Sequence, residues 1–332
     1  MKKQNTKKRR KILLSLLVIA FVGIVLTAST YTWFTANTTV TVEQMDVNVA
    51  ASNGLQVSVD AINWKTLITA DDIKGAGTTY ATAVNQIPTQ PSEPVSTIGE
   101  IDPATGFMKM FKGVIESNDA GNYILTATQE KEAHGKADGK FIAFDLFFQV
   151  NQDTPLYLTS NSSVKALNTS SGIENAGRVA FIEQGNSPAG TAAATVQALK
   201  AADNTGLKLW EPNYDVHTAA AVKNASDNYG ITTTQTGGTL LPYHGVKADI
   251  TKTADIALNS TKEEFFAPVT PTNTSPAAGI PSDAYSSLMT LKAGITKMRI
   301  YMWVEGQDVD CENNASGGSL AFNLQFSSLE KA

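Results

Sequence analysis

The first 35 residues constrain this chain more than any other stretch. Seven of the first eleven residues are basic (Lys2, Lys3, Lys7, Lys8, Arg9, Arg10, Lys11), and between Ile12 and Gln44 the only charge is Glu43. A basic flank followed by an apolar run is an export signal. The run Ile12 to Ala28 is long for a cleaved signal and close to the ~20 helical residues that span a bilayer. The positive flank holds the N-terminus in the cytoplasm, so everything after about residue 30 is expected to fold outside it.

Two readings of the junction stay open. In Thr30-Tyr31-Thr32-Trp33-Phe34-Thr35, the small residues Thr30 and Thr32 alternate just ahead of an aromatic pair. This suits a signal peptidase pocket and favours cleavage after Thr32, leaving Trp33 as the first mature residue. The alternative is a retained anchor in which Tyr31, Trp33 and Phe34 form an interfacial aromatic belt. The expected organisation is residues 1–32 as signal or anchor and 33–332 as one extracellular domain, with a loop-rich insertion at about 186–280.

Charge narrows the partners. Setting aside the basic cluster, 19 basic side chains face 31 acidic ones, a net charge of −12. Such a surface repels nucleic acid and anionic lipid heads, and attracts cations or basic wall components. Cys311 is the only cysteine, so no internal disulfide framework staples the fold.

The apolar pattern is that of strands. Val40 and Val42 share one face, the phase slips near Gln44, and Met45, Val47 and Val49 take over, as a β-bulge requires. Asn53-Gly54 then supplies a turn and Leu55, Val57 and Val59 resume, so 38–60 reads as a strand pair or bent hairpin. Phe141 to Val150 is too apolar on both faces for a sheet edge, and Leu156–Leu158 and Arg178–Ile182 make further strands. Residues 85–106, with four prolines, read as an irregular loop. Thr191 to Ala202 reads as a short helix decorating the sheet, and 203–280 carries strand islands at Leu207–Trp210 and Thr239–Leu241. Ile295–Val304 and Leu320–Phe326 alternate strongly and fit a terminal antiparallel hairpin. The fold class is therefore mainly β, a jelly-roll-like antiparallel β-sandwich behind the N-terminal helix.

No catalytic constellation emerges. His134, His217 and His244 lie in separate segments without a partner at i+4, and no Gly-x-Ser-x-Gly elbow occurs. Trp64, Trp210 and Tyr214 can stack on sugars, though core packing is the commoner fate of aromatics. Glu305 to Asn314 crowds four carboxylates into the last loop. Asp308, Asp310 and Glu312 are spaced to offer oxygens to calcium, but an EF-hand register starting at Asp308 fails, with Asn313 at its sixth position and Ser319 at its twelfth. A solvated acidic turn without bound metal is the expectation. Cys311, in this setting, is expected to be a buried or inert thiol.

From Thr30 to Thr35, and through Thr-rich alternation to Met45-Asp46-Val47-Asn48-Val49, the chain resembles the N-termini of TasA/camelysin-like biofilm-fibre proteins of Gram-positive bacteria, with Thr32 where alanine is usual. The resemblance covers roughly residues 10–50. It implies a jelly roll whose mature N-terminal strand, here 33–50 with Val40, Val42, Met45, Val47 and Val49, completes a neighbour's sheet. The remainder, including Asp145–Phe148 and Met302–Gly306, resembles uncharacterised exported proteins of Firmicutes. The functional expectation is a non-enzymatic surface or matrix protein that self-associates into fibres. The alternative is a membrane-anchored module binding a cell-wall or glycan ligand. No C-terminal sorting motif is seen at Ser327 to Ala332, so attachment is expected through the N-terminus or self-association.

Overall fold

A computed structural model of the chain describes residues 39–50, 54–74, 79–117, 123–167, 170–250, 263–271, 287–312 and 317–328, with Ala315. The segment expected to direct export, including Thr30, Thr32 and Trp33, lies outside the described residues. Among those described, no helix is long and apolar enough to cross a membrane.

In chain order the strands begin with β1 (Thr41–Ala50), β2 (Gln56–Ser58), β3 (Leu67–Thr69), β4 (Val95–Ser96), β5 (Ile101–Asp102) and β6 (Phe107–Met108). The middle of the chain gives β7 (Met110–Ser117), β8 (Tyr123–Glu130), β9 (Ile142–Val150), β10 (Thr154–Leu158), β11 (Ser163–Ala166) and β12 (Gly177–Ser187). The last are β13 (Leu207–Trp210), β14 (Tyr243–Val246), β15 (Phe266–Val269), β16 (Met289–Leu291), β17 (Gly294–Val304) and β18 (Ser319–Ser327). The chain is mainly β, as expected.

Two sheets dominate. One runs β16-β10-β18-β1-β3, with β11 also on β18; the other runs β13-β12-β17-β9-β2. They face each other across one core, to which β1 contributes Met45 and Val47, β18 Leu320, Phe322, Leu324 and Phe326, and the opposite sheet Phe144, Phe148, Phe181 and Ile300. Phe326 meets Phe148 edge-on at 5.2 Å and Phe181 at 5.9 Å between ring centroids.

The second sheet is also covered on its far face. Ala143, Ala180, Ile182, Tyr301 and Trp303 pack there against Val95, Ile101, Met108, Met110 and Tyr243. Burial from both sides explains why Phe141 to Val150 is apolar without alternation. It also makes every residue of β17 buried.

The expected bulge is present: the β1–β18 register shifts between Val42 and Gln44, and this keeps Val40, Met45 and Val47 all inside. Both expected hairpins are corrected. β1 and β2 sit in different sheets, the chain crossing between them through Gly54 at φ 76°. β17 and β18 likewise face one another across the core instead of pairing, and β1, not β17, lies beside β18, parallel to it. Alternation marks one apolar face per strand, but it does not say whether two such faces lie side by side or opposite.

The alanine-rich helix contracts to Ala193–Gln197, whose first turn lacks a side-chain cap. Its Val196 packs on Phe147 and Ile295, so it does decorate the sheet. Leu207–Trp210 is the strand β13 as read. The second island is displaced from Thr239–Leu241 to Tyr243–Val246, where Gly245 would place a Cβ only 2.2 Å from the carbonyl oxygen of Thr97. Only a residue without a side chain lets the insertion approach that backbone so closely. Within 85–106, the loop is broken by β4 and β5.

Candidate functional site

The covered face of the second sheet carries charge at its centre. Strand periodicity that sends Val179 and Phe181 into the main core turns Arg178 the other way, and the same alternation on β17 exposes Lys297, Arg299, Tyr301 and Trp303 to the covering layer. Two buried ionic clusters result.

The first surrounds Arg299. Its Nη1 donates to Asp145 Oδ1 at 2.9 Å, its Nη2 to Glu132 and to the carbonyl of Val84, and its Nε to the Tyr301 hydroxyl at 3.1 Å. Tyr80 and Tyr301 donate their hydroxyls to Asp145 and Glu132. Lys297 Nζ donates to the Gln197 carbonyl at 2.7 Å and stands 3.5 Å from Asp145 Oδ2. Burial alone would raise Asp145, but Arg299 and Lys297 offset it and hold this carboxyl below its usual value. Two cations balance two carboxylates, so this cluster is a closed cross-tie between β9, β17 and the covering layer.

The second surrounds Arg178, fully buried at the start of β12, and contains the acidic loop that follows β17. Arg178 pairs with Asp308 and, at 3.0 Å, with Glu211 Oε1. His217 Nδ1 lies 2.7 Å from Asp310 Oδ2, and Asn224 Nδ2 donates to the Val309 carbonyl at 2.7 Å. Glu305 accepts from Trp303 Nε1 and from the backbone N–H of Gln307, each at 3.1 Å. Thus Glu211, His217 and Asn224 clamp the insertion onto the loop.

This corrects the expectation of a solvated turn. Asp308, Asp310 and Glu312 are only 6%, 2% and 7% exposed, because the insertion closes over them. Cys311 is buried, and burial together with the surrounding carboxylates pushes its thiol up, as expected of an inert thiol. His217, without a partner at i+4 in the sequence, gains Asp310 through tertiary contact.

Calcium fares poorly on this geometry. Asp308 is held by Arg178 and Asp310 by His217, and among the described residues no three His, Cys, Asp or Glu side chains converge as a metal site. Melting curves recorded with calcium and with chelator are expected to coincide, whereas a site at one hundred times its Kd would add about 2.7 kcal/mol. A calcium-dependent shift that vanished in D308N/D310N would reverse this conclusion.

The His217–Asp310 pair has the form of an oriented base, and among the described residues no hydroxyl or thiol hydrogen-bonds to Nε2. Among the sugar-stacking candidates, Trp210 is fully buried, while Trp64 and Tyr214 are half-buried. In the strand expected to assemble, Val40, Met45 and Val47 are buried in the chain's own core, Val42 packs against it, and Val49 pairs through its backbone with Phe326.

Comparison with known protein families, with curated proteins and with solved structures finds no match to the chain.

Proposed function

We propose that this chain is an exported structural protein of the cell surface or matrix, a jelly-roll-like sandwich whose mature form begins near Trp33 and assembles by exchange of β1 between copies. The observation that carries the reading is the seat of β1. It lies parallel to β18, and on its other side β3 covers only Asp46 to Asn48. A parallel neighbour cannot be a hairpin partner, so no tight turn ties β1 to β18.

The same strand from another copy would make the same backbone bonds and fill the same core positions. Exchange of identical contacts costs little once the linking segment opens, and a head-to-tail relation that does not close propagates as a filament. The export signal, the acidic surface and the N-terminal resemblance to fibre proteins support this reading.

A disulfide between Asn48→Cys and Leu67→Cys, opposed in the β1–β3 register, tests it. The oxidised protein is expected to stay monomeric and to form filaments on reduction. Filaments at the wild-type rate from the oxidised form, or a wild type monomeric at high concentration, would refute the exchange. Processing has its own test: Thr32→Arg is expected to block release, and N-terminal sequencing of the secreted wild type should start within a few residues of Trp33. Recovery solely from membranes with residues 1–28 intact would establish the anchor instead.

A further inference from the structure

The cluster around Arg178 is not balanced as the one around Arg299 is. Glu211, Glu305, Asp308 and Asp310, all within 8% of full burial, face one guanidinium and one imidazole. Even with His217 charged, full ionisation leaves negative charge in excess where water cannot screen it. Buried groups in that position take protons instead.

A second observation points to the same place. Among the described residues, the buried side-chain polar atoms left without a partner are concentrated here: Arg178 Nε, Glu211 Oε2, His217 Nε2 and both amide atoms of Gln307. Such orphans call for an explanation. Glu211 Oε2 accepts no hydrogen bond, so its ionised form lacks the donors that would stabilise it.

We propose that the acidic loop and the 207–246 insertion form a proton-operated latch, docked while the carboxylate cluster holds protons and released as the cluster ionises. The groups that face one another are Arg178 from β12, Glu211 and His217 from the insertion, Tyr243 from β14, and Glu305, Asp308, Asp310, Cys311 and Glu312 from the loop. Arg178 opposes release by favouring ionised partners and does not itself titrate in this range.

Glu211, Glu305, Asp310 and His217 act in one direction. Burial, opposed by Arg178, pushes Glu211 from 4.5 up to about 8; burial likewise pushes Glu305 from 4.5 up to about 7 and Asp310 from 3.8 up to about 6. Burial lowers His217, but its bond to Asp310 outweighs this and raises it. Groups raised in the docked state bind more protons there. Their contribution is full below the ordinary carboxylate range and is lost as pH rises through about 6 to 8.

Hydrogen exchange of the full chain at about pH 5.5, 7 and 8.5, corrected for intrinsic rates, reads the latch directly. Protection at Leu207–Trp210, Ala219–Asn224 and 308–312 is expected to fall about tenfold per pH unit for each proton released, while β9 and β17 stay protected. E211Q, neutral at every pH, is expected to flatten the upper part of that dependence. Equal protection at all three pH values, or an E211Q profile that tracks wild type, would overturn the proposal. So would restoration of protection at the highest pH by calcium, which would make the site a cation site. Should E211Q fail to fold, the fluorescence of wild-type Trp303, whose Nε1 donates to Glu305, supplies the test. A transition between about pH 6 and 8 is expected, and its absence counts against the latch.

Discussion

Arg178→Met is expected to destabilise the protein by about 3–5 kcal/mol, read as a shift of the urea midpoint at neutral pH. The size follows from what the substitution leaves behind. Arg178 Nη2 is the cation for both Glu211 and Asp308, and its Nη1 donates to the carbonyls of Asn175 and Gly177 at 3.2 Å. Methionine fills much of the same volume but strands two buried carboxyl groups. The loss should grow as pH rises past about 8, where Glu211, raised by burial, gives up its proton and needs the counter-charge. A loss that stayed equal as pH rises from neutral through about 8 would mean that packing, not charge, is what Arg178 supplies.

Phe326→Ala is expected to cost a further 3–5 kcal/mol, roughly, by a different physical route. Phe326 is wholly buried on β18 and meets Phe148 and Phe181 of the facing sheet edge-on. Its removal opens a cavity between the two sheets that neither backbone can close, since each is held by its own ladder. The variant should unfold at lower denaturant with little change in pH dependence, which separates it from Arg178→Met. If Phe326→Ala proved nearly neutral in chemical denaturation, the core would have to lie elsewhere than between these sheets.

Much of the local structure was legible in the sequence. The slip near Gln44 marked a real bulge and Leu207–Trp210 a real strand, because each depends on residues close together in the chain. The pairing of strands was not legible. Strands 294–304 and 319–327 alternate as a hairpin would, yet they lie in opposite sheets, and β1 takes the place beside β18. The acidic loop looked solvated because four carboxylates within eight residues belong on a surface unless something distant covers them. What covers them, Glu211, His217 and Asn224, lies about a hundred positions upstream, with no spacing rule to connect it.

The sequence by itself determined a mainly β chain, with its strand faces and its bulge, because period-2 alternation and turn residues act over a few neighbours. Only the tertiary structure decided which strands share a sheet, that the second sheet is buried on both faces, and that Arg178 and His217 meet the carboxylates of the acidic loop. Those outcomes rest on long-range burial: a charge pattern becomes an ionic cluster only when folding removes the water that would otherwise have screened it.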